Sequence, residues 1–303
     1  MKIWIPHKLG LTYLHDVPYD VQIEVADDPA ALPSDPGSVG FLVPTFLNQP
    51  QMHDIVPRMR SLEVLQLPSA GSDGWTHLPP PTTVICDARG LHSAATAEWV
   101  LAAMLAQLRE FPFFRSAQLA GAWTPRPGRD LAGQRVLLIG AGSVGRAVAR
   151  RLKPFEVELT VVARSARPAE GIRAIAELPG LLPCADVVIL AVSLTEATRH
   201  LAGRELLAAL PDGALVVNAS RGPVVDTPAL LAELERGRLR AALDVTDPEP
   251  LPTGHPLWSQ SGALITPHAG AVTEKLPERV YRLVRRQVDR WLAGEPLRNR
   301  LAR

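Results

Sequence analysis

The stretch RVLLIGAGSVGRAVARRL, residues 135–152, decides how this chain is read. RVLLIG has the apolar character of a buried strand, and SVGRAVARRLKPF after it reads as a helix. Between them GAGSVG places Gly140, Gly142 and Gly145 in the GxGxxG spacing. Each glycine answers a physical demand. Gly140 permits a tight turn, Gly142 lets the backbone approach a pyrophosphate, and Gly145 lets the helix pack closely on the sheet. The N–H groups of Ser143 and Val144, at the start of the helix, then face an anion. A ligand-free turn can carry the same letters. What separates the two readings is context: a strand before, a helix after, and a second strand, VELTVVAR (157–164), at the distance a dinucleotide-binding unit requires.

Working outward from the turn, the rhythm of strand and helix continues. ADVVILAV (185–192) is a continuous apolar run, as expected of a parallel strand buried on both faces, and ALVVNAS (214–220) repeats it. A helix candidate, 203–210, lies between them. DTPALLAELERG (226–237) reads as a helix, RAALDV (240–245) as a short strand, and GALITPH (262–268) ends the series. Such alternation predicts a doubly wound parallel sheet. Before the turn, 2–5, 21–25, 39–43, 62–66 and TVICD (83–87) read as strands, with a helix over 52–59. The apolar periodicity of 93–111 predicts one helix long enough to bridge two domains. GAWTPRPGRDLAGQ (121–134) is a Gly/Pro-rich link, and 272–293 reads as one amphipathic helix.

The 303 residues suffice for two domains. Apolar residues make up 47% and charged residues 21%, a globular composition. A net charge of +1 gives no field that favours nucleic acid or an anionic membrane. No apolar run reaches the length of a membrane span, and MKIWIPHKLG lacks the apolar core of a signal peptide. Two isolated cysteines, Cys86 and Cys184, predict neither a disulfide framework nor a metal site. A cytoplasmic protein with reduced thiols is the expectation.

Three segments place polar residues just past apolar strands: NASRGPVVD (218–226), ALDVTDPEP (242–250) and ITPHAG (265–270). Ligands of open α/β sheets bind beyond the carboxyl ends of strands. Arg221, Glu249 and His268 therefore converge on one crevice if these strands are neighbours. Each also has a plainer reading. Arg221 fits a solvated arginine or a helix-cap contact. Glu249 fits a surface acid in a proline-rich turn, with Asp247 equally placed for its task. His268 fits a side chain that only bonds backbone. Their joint position after three strands of one sheet favours a site.

Together GAGSVG, NASRGPVVD, AALDVTDPEPLP, HPLWSQSGALITPHAG, LPSAGSD (67–73) and LHSAATAEWVLAAMLAQLRE (91–110) resemble the D-isomer-specific 2-hydroxyacid dehydrogenases, over about residues 62–290. The resemblance implies two α/β domains. A Rossmann-type cofactor domain, 93–272, is inserted into a flavodoxin-like substrate domain, 1–92 and 273–303, with the helical segment from Ser93 as the link and a homodimer as the assembly. It implies hydride transfer between NADP or NAD and a small 2-oxo acid such as glyoxylate or hydroxypyruvate. His268 would be the acid/base. Glu249, selected over Asp247 by its spacing from Asp244, would bond the other imidazole nitrogen and tune the ring. Arg221 would bind the substrate carboxylate and keto oxygen, a task suited to a planar, always-charged fork. Asp244 would contact the nicotinamide carboxamide, Ala219 would line the cofactor site, and the N–H groups of Ala70 and Gly71 would hold the carboxylate from the substrate domain.

Two departures stand out: Thr246 replaces the family's usual aromatic residue, and 1–61 matches weakly. Formate enzymes on this scaffold carry Gln where Glu249 stands, which disfavours formate. A phosphite-type dehydrogenase and a non-catalytic NAD(P)-sensing regulator are the alternatives.

The resemblance also gives LTVVARSARP (159–168) its meaning. About 20 residues past the glycine turn, a ribose-binding Asp or Glu is expected. Ala163 falls where NAD-using relatives place that Asp. Without an acid to repel a 2′-phosphate, Arg164 and Ser165 can donate to it, with Arg167 adding charge. NADP is therefore the expected cofactor, with NAD weaker. Only four of the 32 basic residues are Lys, so arginine is this chain's ordinary cation and the missing acid carries more weight than the arginines.

Overall fold

The computed structural model describes residues 1–46 and 50–302. They form two compact units, Met1–His92 with Glu274–Arg303, and Ser93–Thr273. The strands are β1 (Lys2–Ile5), β2 (Gln22–Val25), β3 (Phe41–Leu42), β4 (Val64–Gln66), β5 (Val84–Cys86), β6 (Arg135–Ile139), β7 (Glu158–Ala163), β8 (Ile172–Ala174), β9 (Val187–Leu190), β10 (Leu215–Asn218), β11 (Arg240–Leu243) and β12 (Ala263–Ile265). The helices are α1 (Pro50–Ile55), α2 (Ser93–Leu108), α3 (Phe111–Leu119), α4 (Ser143–Leu152), α5 (Leu178–Leu181), α6 (Arg204–Ala209), α7 (Thr227–Glu235) and α8 (Leu276–Leu292).

The split unit holds a five-stranded sheet in the order β2-β1-β3-β4-β5, parallel throughout. That is a flavodoxin-like order. Alternation along β1 explains its two layers. Trp4 faces a cluster with Met52, Ile55, Met59 and Trp75, whereas Ile3 and Ile5 face Val280, Tyr281, Val284 and Val288 of α8. Those α8 residues recur at helical spacing, so one apolar stripe returns the C-terminal segment to the N-terminal sheet.

The inserted unit holds seven parallel strands in the order β12-β11-β10-β9-β6-β7-β8. The order reverses between β6 and β9, the arrangement of a dinucleotide-binding sheet with its switch point there. One face packs on α6 and α7 through Leu206, Leu207, Leu230 and Leu234. The other packs on α2 and α4 through Val100, Met104, Val148 and Leu152. Both faces of β9 and β10 are fully covered, which accounts for their unbroken apolar runs.

Three expectations change. The helix predicted over 93–111 stops at Leu108, and Glu110 takes a left-handed φ of 59° before α3 begins. This helix lies wholly in the inserted unit, and the chain crosses between the units twice, at His92–Ser93 and at Thr273–Glu274. The C-terminal helix starts at Leu276, four residues later than predicted. β8 and α3 were not anticipated; β8 has only three residues, and none of α3 is buried. Among the described residues no helix is long and apolar enough to cross a membrane, and no three His, Cys, Asp or Glu side chains converge as metal-ion donors.

Candidate active site

The glycine turn sits at the carboxyl end of β6, on the switch point. Gly140 has φ +119°, and a Cβ there would strike the carbonyl oxygen of Ala191, past the end of neighbouring β9. A Cβ on Gly145 would strike the carbonyl oxygen of Gly140, so α4 can lie this close to the turn only without a side chain. Gly142 differs: a Cβ added there meets nothing within 4 Å. As N-cap of α4 it offers no side-chain bond to the first turn. The turn therefore leaves an open face and a run of uncapped N–H groups, including those of Ser143 and Val144, where a helix attracts anions. These residues fit the pyrophosphate of a dinucleotide.

Next along the edge is the loop after β7. Ala163 ends the strand, and Arg164 and Ser165 are exposed. Among the described residues neither of the two makes a hydrogen bond or ion pair. Arg167 turns back: its Nη2 donates to the carbonyl oxygen of Ala141 in the glycine turn at 3.5 Å, and its Nη1 lies 3.6 Å from Glu170. Glu170 also lies 3.8 Å from Arg146 on α4. This edge carries two arginines, Arg146 and Arg167, near one carboxylate, a further exposed arginine at 164, and no acid at 163.

On the other side of the switch point, β10, β11 and β12 are neighbours, so Arg221, Glu249 and His268 follow adjacent strand ends. Asn218, fully buried at the end of β10, fixes the first turn. Its Oδ1 accepts from the Ser220 N–H at 3.1 Å and the Ser220 hydroxyl at 2.6 Å, and its Nδ2 donates to the Arg221 carbonyl at 3.0 Å. Ala219, the candidate cofactor contact, lies within that turn, its N–H donated to Leu190. The Arg221 guanidinium is half-buried and donates to the Ser220 carbonyl at 2.8 Å. The next residue must be glycine, because a Cβ on Gly222 would collide with the Thr246 carbonyl. That contact seats the Arg221 turn against the loop that carries Glu249. Thr246, which replaces an expected aromatic residue, is buried and closes its own loop by donating to the Pro248 carbonyl at 2.8 Å.

His268 has φ +53°, a left-handed conformation that costs energy for a side chain of this kind. Asp244 holds it there. The Asp244 carbonyl accepts the His268 N–H at 2.7 Å. Its buried carboxylate accepts the Thr266 hydroxyl at 2.7 Å, the Ala269 N–H at 2.8 Å and the Gly270 N–H at 2.9 Å. So oriented, the ring places Nδ1 2.7 Å from Glu249 Oε1. Both side chains remain partly open, at 36% and 40% exposure. Nδ1 is thus engaged by a carboxylate and Nε2 is left for chemistry, the division of labour a general acid/base needs. Asp247 takes no part in this pair; its carbonyl accepts from Thr227.

Ala70 and Gly71 lie in the loop after β4, within the split unit. The Ser69 hydroxyl closes that loop onto the Gly71 carbonyl at 2.7 Å. Neither Ala70 nor Gly71 donates its N–H among the described residues, and two adjacent free N–H groups suit a carboxylate. Sequence reasoning missed Asn218 and the anchoring role of Asp244. Both are polar residues that end apolar runs, and that position was the available signal, though it does not tell an anchor from a ligand contact.

Comparison with known proteins places the chain in a family context. The family model for D-isomer specific 2-hydroxyacid dehydrogenases, NAD binding domain, matches residues 101–270, more than half of the chain. Human glyoxylate reductase/hydroxypyruvate reductase is 36% identical over 216 residues, 68% of this chain and 66% of the human protein. Among solved structures, the TT0316 protein of Thermus thermophilus superposes over all of both chains, with TM-score 0.85 and 31% identity. A D-isomer specific 2-hydroxyacid dehydrogenase of Xanthobacter autotrophicus Py2, solved with NADPH and MES, gives TM-score 0.81 at 29% identity, over 100% of this chain and 98% of that one.

Proposed function

Because the chain belongs to the D-isomer specific 2-hydroxyacid dehydrogenase family, we propose that it reduces a small 2-oxo acid of the glyoxylate or hydroxypyruvate type, with NADP(H) preferred over NAD(H). The observation that carries the proposal is the 2.7 Å bond between Glu249 and His268, at a strand end adjacent to that of Arg221. The bound nicotinamide dinucleotide supplies the hydride that reaches the keto carbon. His268 donates the Nε2 proton to the keto oxygen, and in the oxidative direction takes the hydroxyl proton back. Glu249 holds Nδ1, orients the ring and compensates the charge it carries when protonated. Arg221 binds the substrate carboxylate and polarises the keto oxygen. Asp244 has three of its four acceptor positions filled by Thr266, Ala269 and Gly270. Among the described residues no further donor to it is seen, and the fourth would accept from the carboxamide of the cofactor. Gly140, Gly142, Ser143, Val144 and Gly145 cradle the pyrophosphate, and Ala219 lines the same edge.

NADP preference is inferred from Ala163, where no carboxylate repels a 2′-phosphate, and from Arg164, Ser165 and Arg167 around it. The structure of the Xanthobacter relative solved with NADPH supports this reading by analogy. A homodimer is proposed on the exposed apolar side chains Phe111, Leu119 and Trp123 and on the family resemblance; the proposed cytoplasmic location rests on the two isolated cysteines, which suit a reducing compartment.

The test is a kinetic panel of glyoxylate, hydroxypyruvate and pyruvate against NADPH and NADH. Turnover of glyoxylate or hydroxypyruvate, with the larger kcat/KM for NADPH, is expected. Tight cofactor binding with no 2-oxo acid turned over overturns the proposal in favour of a cofactor-sensing regulator. Oxidation of phosphite in its place makes the chain a phosphite-type enzyme.

A further inference from the structure

The loop that carries Ala70 and Gly71 leaves β4 at a proline. The ladder between β4 and β5 runs one step past the strand, where the Leu67 N–H donates to the Cys86 carbonyl at 2.7 Å. Pro68 has no N–H and ends it. The turn that follows is held from one neighbouring segment, 88–92. The Ala88 N–H donates to the Ser69 carbonyl at 2.8 Å. The His92 ring donates from Nε2 to the carbonyl of buried Pro68 at 2.7 Å. Each bond fixes a peptide plane, because the C=O and N–H of one trans peptide are coplanar and point opposite ways. With the Ser69 carbonyl turned to Ala88, the Ala70 N–H points away from that segment, and Ala70 is exposed. With the Pro68 carbonyl turned to His92, the plane before it is set as well.

For stability alone, histidine is a poor choice at 92. The residue is only 7% exposed. A carbonyl oxygen can only accept, so the ring proton sits on Nε2 and Nδ1 is left as an acceptor. Burial, opposed by the Pro68 bond and aided by the field of Arg279 on α8, lowers the His92 pKa, so the ring stays neutral. Nδ1 is buried and meets no hydrogen-bond partner among the described residues. The Phe46 ring lies against the imidazole, 5.3 Å between centroids and nearly perpendicular. A buried acceptor without a donor is destabilising, and an apolar side chain would avoid that loss. What the imidazole supplies in return is one bond, to the carbonyl two residues before Ala70. All of these groups lie in the split unit.

We propose that His92 is a positioning residue for substrate binding: by fixing the Pro68 peptide it holds the N–H groups of Ala70 and Gly71 in the orientation that receives the carboxylate of the 2-oxo acid. Ala70 and Gly71 are the carboxylate-binding groups of the function proposed above, and the role of His92 rests on that reading. The ring acts through the turn and does not touch the substrate. The carboxylate is held equally in the ground state and the transition state, so losing its site raises KM and leaves kcat in place.

The experiment joins steady-state kinetics on glyoxylate and hydroxypyruvate, at saturating NADPH, to fluorescence titration of the cofactor-bound protein with oxamate, an unreactive analogue of a 2-oxo acid. The variants are His92→Leu, His92→Gln and His92→Asn. His92→Leu leaves the Pro68 carbonyl without its donor. KM and the oxamate dissociation constant should both rise about tenfold, with kcat and the NADPH dissociation constant within about threefold. The amide nitrogen of Gln reaches as far along its side chain as Nε2 of His, and that of Asn only as far as Nδ1. His92→Gln should therefore return both constants to within about threefold of the unmodified protein, and His92→Asn should not. This pair carries the test should His92→Leu fail to fold. Unchanged constants in His92→Leu, equal constants in the Gln and Asn variants, or a fall in kcat without a rise in KM overturns the proposal. If oxamate binds without turnover, its dissociation constants alone decide. An unmodified protein that neither turns over a 2-oxo acid nor binds oxamate removes the carboxylate site itself, and the role of His92 with it.

Discussion

Two stretches on one edge of the seven-stranded sheet hold their polar side chains in different ways. At 244–270 the polar groups around His268 are tied to neighbours: Asp244 alone fixes Thr266, Ala269 and Gly270, and Glu249 fixes His268. At 163–170 Arg164 and Ser165 project from the surface, and the arginines behind them make only long contacts, to Glu170 and, from Arg167, to the Ala141 carbonyl. The contrast follows from the tasks proposed for them. A proton donor must meet its target within hydrogen-bond reach and at a set angle, so its position has to be established before substrate arrives. Side chains that choose between two cofactors need only supply charge near a phosphate, and a solvated guanidinium does that without a framework. The cost of the first arrangement is visible in the left-handed His268; the second carries no such strain.

The largest expected effect breaks the contrast at its rigid end. His268→Ala should lower kcat by roughly 10³-fold, the usual worth of a positioned acid/base, while leaving the dissociation constant for NADPH within about twofold. Steady-state kinetics and fluorescence titration measure the two quantities. Substantial residual turnover would remove His268 from the proton path.

Next is the anchor. Asp244→Asn keeps the size of the side chain but turns an amino group toward backbone N–H donors at Ala269 or Gly270. At least one buried donor then loses its acceptor, a cost of about 1–3 kcal/mol. In a unit of this size, where 1 kcal/mol lowers the melting temperature by about 2–4 °C, that corresponds to a fall of roughly 2–12 °C. Because the same change releases the His268 turn, kcat should fall about 10- to 100-fold with little change in KM for the 2-oxo acid. Calorimetry and kinetics on one preparation test both halves. A stability loss with unchanged kcat would show that the strained turn holds without its anchor.

The same contrast explains what was legible in the sequence. The glycine turn, the strand alternation and the three polar strand ends are local patterns in which a residue's neighbours along the chain report its surroundings. Arg221, Glu249 and His268 were readable for that reason, and the alternation of unbroken apolar runs with helices was enough for the parallel sheet. Asn218 and Asp244 were harder. Each does its work by bonding groups two to 26 residues away, and nothing in a linear pattern distinguishes a buried anchor from a ligand contact. The break at Glu110 was invisible because periodicity registers apolar spacing, which continues across the kink, and not the sign of φ.

The smallest expected effect probes the loosely held loop, and two substitutions of opposite sign make it decisive. Arg164→Ala removes a donor that the proposal assigns to the 2′-phosphate. It should weaken NADPH binding about tenfold and leave NADH within about twofold. Glu170→Gln removes the carboxylate that now lies near both Arg167 and Arg146. With that counter-charge gone, both guanidiniums are available to a phosphate dianion and one source of repulsion disappears, so NADPH should bind about threefold more tightly and NADH about as before. Effects of this size on exposed groups shrink as salt screens them, so titrations at low and high ionic strength should bring the variants together. If both substitutions changed NADPH and NADH equally, the loop would be acting on the shared part of the cofactor. Cofactor choice would then rest on Ala163 alone, through the absence of an acid.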